Sequence, residues 1–201
     1  MPLRAPEPPE ESVAVLRDTL GALAQRGQFS ARGLRKARPE QLTATAPHPV
    51  FVLGLDDGAK EGRLEAARPS GWRYLLEVDE AVVASAETGL QADQHSFSHI
   101  NDGPFVQGTT EAMTVAEEAA EKLPHEVELR LLHVPALYLM SLWLEPVGRN
   151  EGGGALFVPI APAPAGIEAN RVYEGEEFLG RVRELAQAVP RLAPDDETGG
   201  A

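Results

Sequence analysis

Trp72, Tyr74, Leu76 and Val78 alternate with Arg73 and Glu77, and this run constrains the chain more than any other feature. A period of two puts the four apolar residues on one side of an extended strand, against a core. Asp79-Glu80 then breaks the run. Val82 and Ala84 return opposite Val83, Ser85 and Glu87. The pattern predicts a β-hairpin, although Asp-Glu is not a favoured two-residue turn.

Further strands follow from the same reasoning. Val50–Leu55 is a short apolar run closed by Asp57-Gly58, a turn signal. Val127, Leu129, Leu131 and His133 alternate with Glu126, Glu128 and Arg130. Ala136–Leu144 is apolar on every face, so period alone leaves strand and helix open. The glycines at 152–154 and the strand-like Ala155–Ile160 favour a hairpin there. Residues 38–49 and 56–70 show no period and read as loops, as does the polar stretch 89–105.

Helices are predicted at the two ends and in the middle. Val13, Leu16, Leu20 and Leu23 make one stripe over Glu11–Gln25, with Gly27 as the stop. Ser30–Ala37 reads as a second short helix capped by Ser30. Thr114 and Glu117 have capping-box spacing and mark a helix start. The stripe that follows, Val115, Ala116, Ala119, Ala120 and Leu123, is small enough for close approach to a sheet. A last helix spans Glu174–Ala188, with Phe178, Val182 and Leu185 on its inner face.

The order predicts an α+β domain over 11–192. It has two layers, a mostly antiparallel sheet of about five strands packed against helices. Four prolines in residues 1–10 read as a flexible tail, and 193–201 as a flexible acidic one.

The function classes are narrowed by what is missing. The chain has no cysteine, which excludes disulfides, thiol nucleophiles and Cys-ligated zinc. No signal-peptide pattern opens it, and its longest apolar run, Leu131–Leu144, is too short to span a bilayer. A cytoplasmic protein with no membrane partner is the expectation. Abundant Arg, Ala, Gly and Pro suggest a bacterial source. A net charge of −13 disfavours nucleic acid. Residues 152–154 lack the G-K-[ST] ending of a phosphate loop, and no cofactor is assigned.

Candidate chemistry rests on few residues. His133 lies on an apolar strand face, and a catalytic reading pairs it with Tyr138 or Ser141. Ser141 has no G-x-S-x-G elbow and no nearby Asp to orient the imidazole, so a core histidine is the simpler account. His95 and His99 are the metal candidates, with Phe97 on the same side by alternation. In a strand they sit about 13 Å apart, so no metal is assigned. The paired acids fall in turns and on polar helix faces, as solvated charges.

Charge is divided unevenly. Residues 1–39 hold seven Lys or Arg against four acids, and the remainder holds 11 against 27. Arg32, Arg35, Lys36 and Arg38 lie in a run from Gln25 to Pro39 without an acid. This run suits an anionic partner or neutralisation by the acidic body of its own chain. The expected function is a non-catalytic accessory or partner-binding protein of adaptor, inhibitor or immunity type. Its acidic surface, Glu117, Glu118 and Glu121 among it, would meet another protein by electrostatic steering. The alternative is a small enzyme with a pocket between sheet and helices, using His133 or the His95/His99 region.

Overall fold

In the computed structural model, residues 3–56, 58–148 and 154–190 are described, and they build a nine-stranded sheet with helices on both faces. The strands are β1 (Leu3–Arg4), β2 (Leu42–Val52), β3 (Arg68–Val78), β4 (Ala81–Gln91), β5 (Gln94–Asn101), β6 (Val127–Val134), β7 (Leu139–Pro146), β8 (Leu156–Pro159) and β9 (Tyr173–Glu174). The helices are α1 (Glu10–Arg26), α2 (Pro104–Glu121) and α3 (Gly175–Ala188). The spatial order is β5-β4-β3-β2-β6-β7-β8-β9, with β1 also on β6. All neighbours are antiparallel except β2 and β1 on β6, which are parallel.

Side-chain alternation decides which helix covers which face. In β6, Val127, Leu129 and Leu131 pack with Ala112 and Ala116 of α2. Leu132 and Val134 point the other way, onto Phe178 and Val182 of α3. In β3, Tyr74 and Leu76 meet Leu16 and Leu20 of α1. Arg73 lies on the opposite side of β3, its guanidinium reaching Met140, which packs with the α2 cluster. So α1 and α3 share one face, and α2 covers the other. The expected two layers become three, and about five strands become nine. Small residues let α2 lie close to the sheet side. A Cβ on Gly108 would collide with the Ala161 carbonyl oxygen.

The β3–β4 hairpin turns at Asp79-Glu80, and both residues adopt positive φ, 50° and 66°. That is the backbone of a tight hairpin turn, reached here without its favoured residues. Ala92-Asp93 repeats it at 49° and 61° and connects β4 to β5. The second hairpin lies within the stretch read as a polar loop, because β5 exposes alternate residues to solvent at the sheet edge.

Several local expectations change. β2 begins at Leu42, within the predicted loop, and is bent by a bulge at Ala46, where φ is 46°. Arg32–Leu34 forms one 3-10 turn instead of a helix, and Ser30 does not cap it. α2 starts at Gly103-Pro104, ten residues before the Thr114 signal. Thr114 sits inside the helix, its hydroxyl 3.5 Å from the Thr110 carbonyl. Proline at the first helical position supplies the start instead. Leu139–Pro146 is a strand paired with both β6 and β8, so the hairpin reading of 136–144 holds from Leu139 onward. Leu3 and Arg4, expected in a loose tail, pair with Val127 and Glu128. Expectations for 149–153 and 191–201, the acidic tail included, fall outside the described residues.

Candidate functional site

Polar residues from five neighbouring strands converge on the α2 face of the sheet. Arg73 of β3 and His48 of β2 are cross-strand partners, both fully buried. Glu87 and Ser85 of β4 flank Arg73. His133 of β6 projects to the same face, opposite Met140 of β7.

His99 of β5 joins them through a β-bulge. Phe97 pairs with Thr88, and His99 pairs with Glu87, so Ser98 is an extra residue without a partner. Neighbours on β4 point to opposite faces, so the bulge sends Phe97 toward α1 and His99 toward α2. His95, opposite Leu90, stays on the α1 side. The expected single row of His95, Phe97 and His99 is therefore broken, and the two histidines cannot share a metal. No group of three or more His, Asp or Glu suited to a metal occurs among the described residues.

Distances in the cluster are long for ion pairs. Arg73 Nε lies 3.8 Å from Glu87 Oε1, and His99 Nε2 lies 3.9 Å from Glu87 Oε2. Arg73 Nη2 donates to Ser85 Oγ at 3.3 Å, and Nη1 approaches Met140 Sδ at 3.2 Å. Burial lowers the Arg73 pKa, opposed by Glu87. Burial pushes His48 down to about 4; the Arg73 charge adds to this, and the hydrogen bond to the Ala46 carbonyl opposes it. His133 is also lowered, chiefly by burial, with Glu87 opposing and Arg73 and His99 adding. Near neutral pH both imidazoles are uncharged.

The proposed serine chemistry finds no geometry. Ser141 pairs with Leu132, on the α3 side of β6 and β7, while His133 faces α2. Ser141 is fully buried and donates to the Leu142 carbonyl. Tyr138 is exposed, has φ of 50°, and packs its ring 4.9 Å from that of Phe105. His133 itself is half-buried beside charged groups instead of sitting in an apolar core. Of these residues His133 and His99 stand out in the sequence, and Arg73, Glu87 and His48 do not. The signal for them was an Arg on a strand that the structure buries on both faces.

Two other concavities offer less chemistry. A groove of about 350 Å³ between α1 and β2 is walled by Leu16, Leu20, Leu42, Pro47 and Tyr74. The Tyr74 hydroxyl there is engaged with Ser12. A polar cavity beyond the end of β2 is lined by Asp56, Glu61, Arg63, Glu65 and Arg68. Part of its charge is matched: Arg63–Glu61 at 2.7 Å, and Asp56 with Lys60 at 2.8 Å.

The charged patches are both exposed. Glu117, Glu118 and Glu121 stand on the outer face of α2, without an ion pair or hydrogen bond from any described residue. Arg32, Arg35, Lys36 and Arg38 are exposed too. Their loop is anchored by buried Phe29, Ala31 and Leu34, and by the Arg32 backbone N–H donating to Asp102 at 2.8 Å. Ion pairs between these side chains and the acidic body are sparse among the described residues. Among the described residues only Arg38 meets an acid, Glu40, at 4.0 Å. None of the described helices is long and apolar enough to cross a membrane. The chain matches no protein-family model, no curated protein and no solved structure.

Proposed function

We propose that this chain is a non-catalytic partner-binding protein that presents the outer face of α2 to a basic surface of another protein. The observation that carries the reading is the row Glu117, Glu118 and Glu121, which has no ion pair or hydrogen bond among the described residues. Excess negative charge repels itself, so a row without counterions among the described residues favours a cation from outside. The helix beneath is fixed by buried Ala112, Ala116 and Ala120, so the row is presented at little ordering cost. The test is capture of partners from the native host by wild type and by the Glu117→Lys/Glu118→Lys/Glu121→Lys variant, each at low and high salt. Loss of a wild-type partner in the variant and at high salt supports the reading. An identical partner set in all four samples rejects it.

A second reading is favoured by the convergence of His133, His99, Glu87 and Arg73. Two imidazoles beside a carboxylate are the parts of an acid–base site. It predicts a reaction that His133→Gln abolishes while folding is retained.

A further inference from the structure

In the histidine–arginine cluster two buried atoms have no hydrogen-bond partner among the described residues, and they are opposite in character. Arg73 Nε is a donor. Its nearest acid oxygen, on Glu87, is 3.8 Å away, too long for a hydrogen bond. His48 Nε2 is an acceptor. The His48 Nδ1 lies 2.8 Å from the Ala46 carbonyl oxygen, which can only accept, so Nδ1 carries the proton of the neutral ring. Nε2 is left as a lone pair inside the protein. Buried polar groups in folded proteins are nearly always satisfied, and a donor and an acceptor that are both unmet on cross-strand partners point to a species that supplies both.

The rest of the Arg73 fork is also poorly used. One terminal nitrogen meets a thioether and the other a hydroxyl at long range. A guanidinium commonly takes two oxygens of one anion, and here no carboxylate is close enough to do so. Met140, whose sulfur stands on Nη1, is unbranched and only partly buried, so its thioether can swing aside. His133 is half-buried and the His99 side chain is 50% exposed, so the cluster opens to solvent at its rim.

We propose that Arg73 and His48, rimmed by His133 and His99, bind a small oxyanion that itself carries a hydroxyl, the chemistry of hydrogenphosphate. Its anionic oxygens take the Arg73 fork in place of the Met140 thioether, and its O–H donates to His48 Nε2. The charged or titratable groups facing it are His48, Arg73, Glu87, His99 and His133, one from each of β2 to β6. Glu87 repels the anion, so binding draws a proton onto the His133 imidazole, and affinity rises as pH falls. Sulfate has the same shape but no proton near neutral pH. It leaves the His48 lone pair unmet, and a buried site that expects a hydrogen bond discriminates strongly against a ligand lacking it. The proposal stands apart from the partner surface on α2.

The test titrates the full chain near neutral pH with sodium phosphate, and separately with sodium sulfate, at constant ionic strength. The readouts are the Met140 methyl resonance and the His133 and His99 imidazole protons. The expected result is a saturable one-to-one response to phosphate, at least about tenfold tighter than to sulfate, and stronger at lower pH. Arg73→Lys, with folding checked by its methyl spectrum, loses saturation. Drifts that never saturate, or equal responses to the two anions, overturn the proposal.

Discussion

His99 faces Glu87, with Nε2 3.9 Å from Oε2, only because Ser98 is an unpaired residue in β5. The bulge is the device that aims an edge-strand side chain at the polar cluster. Deleting Ser98 removes the bulge and makes Phe97 and His99 consecutive, so plain alternation still sends Phe97 to Thr88 and His99 to Glu87 on opposite faces. The expected outcome is a folded variant in which nuclear Overhauser contacts from 97 to 88 and from His99 to Glu87 both persist, and loss of either pairing would contradict the bulge assignment.

Stability falls as the solution is acidified from near neutral pH toward pH 4. His48 has a folded pKa of about 4, well below the ordinary imidazole value of 6.5. Between those values the unfolded chain binds the proton and the folded chain does not, so lowering pH favours unfolding. The contribution is complete above the ordinary value and is lost on the way down to the folded one. Its size is roughly 3 kcal/mol, and the lowered pKa of His133 acts in the same direction. Urea unfolding across this range measures the slope, and His48→Phe flattens it.

Ser12→Ala costs more than one hydrogen bond. Ser12 Oγ joins the Tyr74 hydroxyl at 2.8 Å and the Thr88 hydroxyl at 2.7 Å, all within the α1–sheet interface. The change leaves two buried hydroxyls without a partner, an expected loss of about 1–3 kcal/mol. A double-mutant cycle with Thr88→Val recovers part of it, because the orphaned group is then removed as well.

Gly108→Ala tests the close approach of α2 to the 161–162 segment. The added methyl meets the Ala161 backbone oxygen, which no side-chain rotation relieves. An expected cost of about 2–3 kcal/mol is read from thermal or chemical unfolding, while Gly180→Ala, with nothing within 4 Å of its added methyl, is neutral or stabilising.

Regular elements with a clean period were legible in the sequence. The Trp72–Val78 alternation and the Leu16–Leu20 stripe point where their residues say. The losses have physical causes. β2 was hidden because Pro47 and Pro49 suggest a loop, yet its bulge at Ala46 and its sparse pairing on the β6 side accommodate them. β5 was hidden because an edge strand is polar on its open positions. The Thr114–Glu117 spacing misled because two helical residues three apart look the same inside a helix as at its start. Arg73 reads as an outward residue of an amphipathic strand, and only the second layer of helices, invisible in local pattern, buries it. The bulge at Ser98 left no mark in the residue alternation, so the meeting of His99 and Glu87 was not readable at all.

The most direct test of the partner surface is the association rate of a captured basic partner with wild type and with the Glu117→Lys/Glu118→Lys/Glu121→Lys variant, measured over rising salt. The expected wild-type rate falls steeply as screening sets in. The variant is slower by roughly tenfold or more at low salt, and the two rates converge at high salt. Equal rates with equal salt dependence would contradict it.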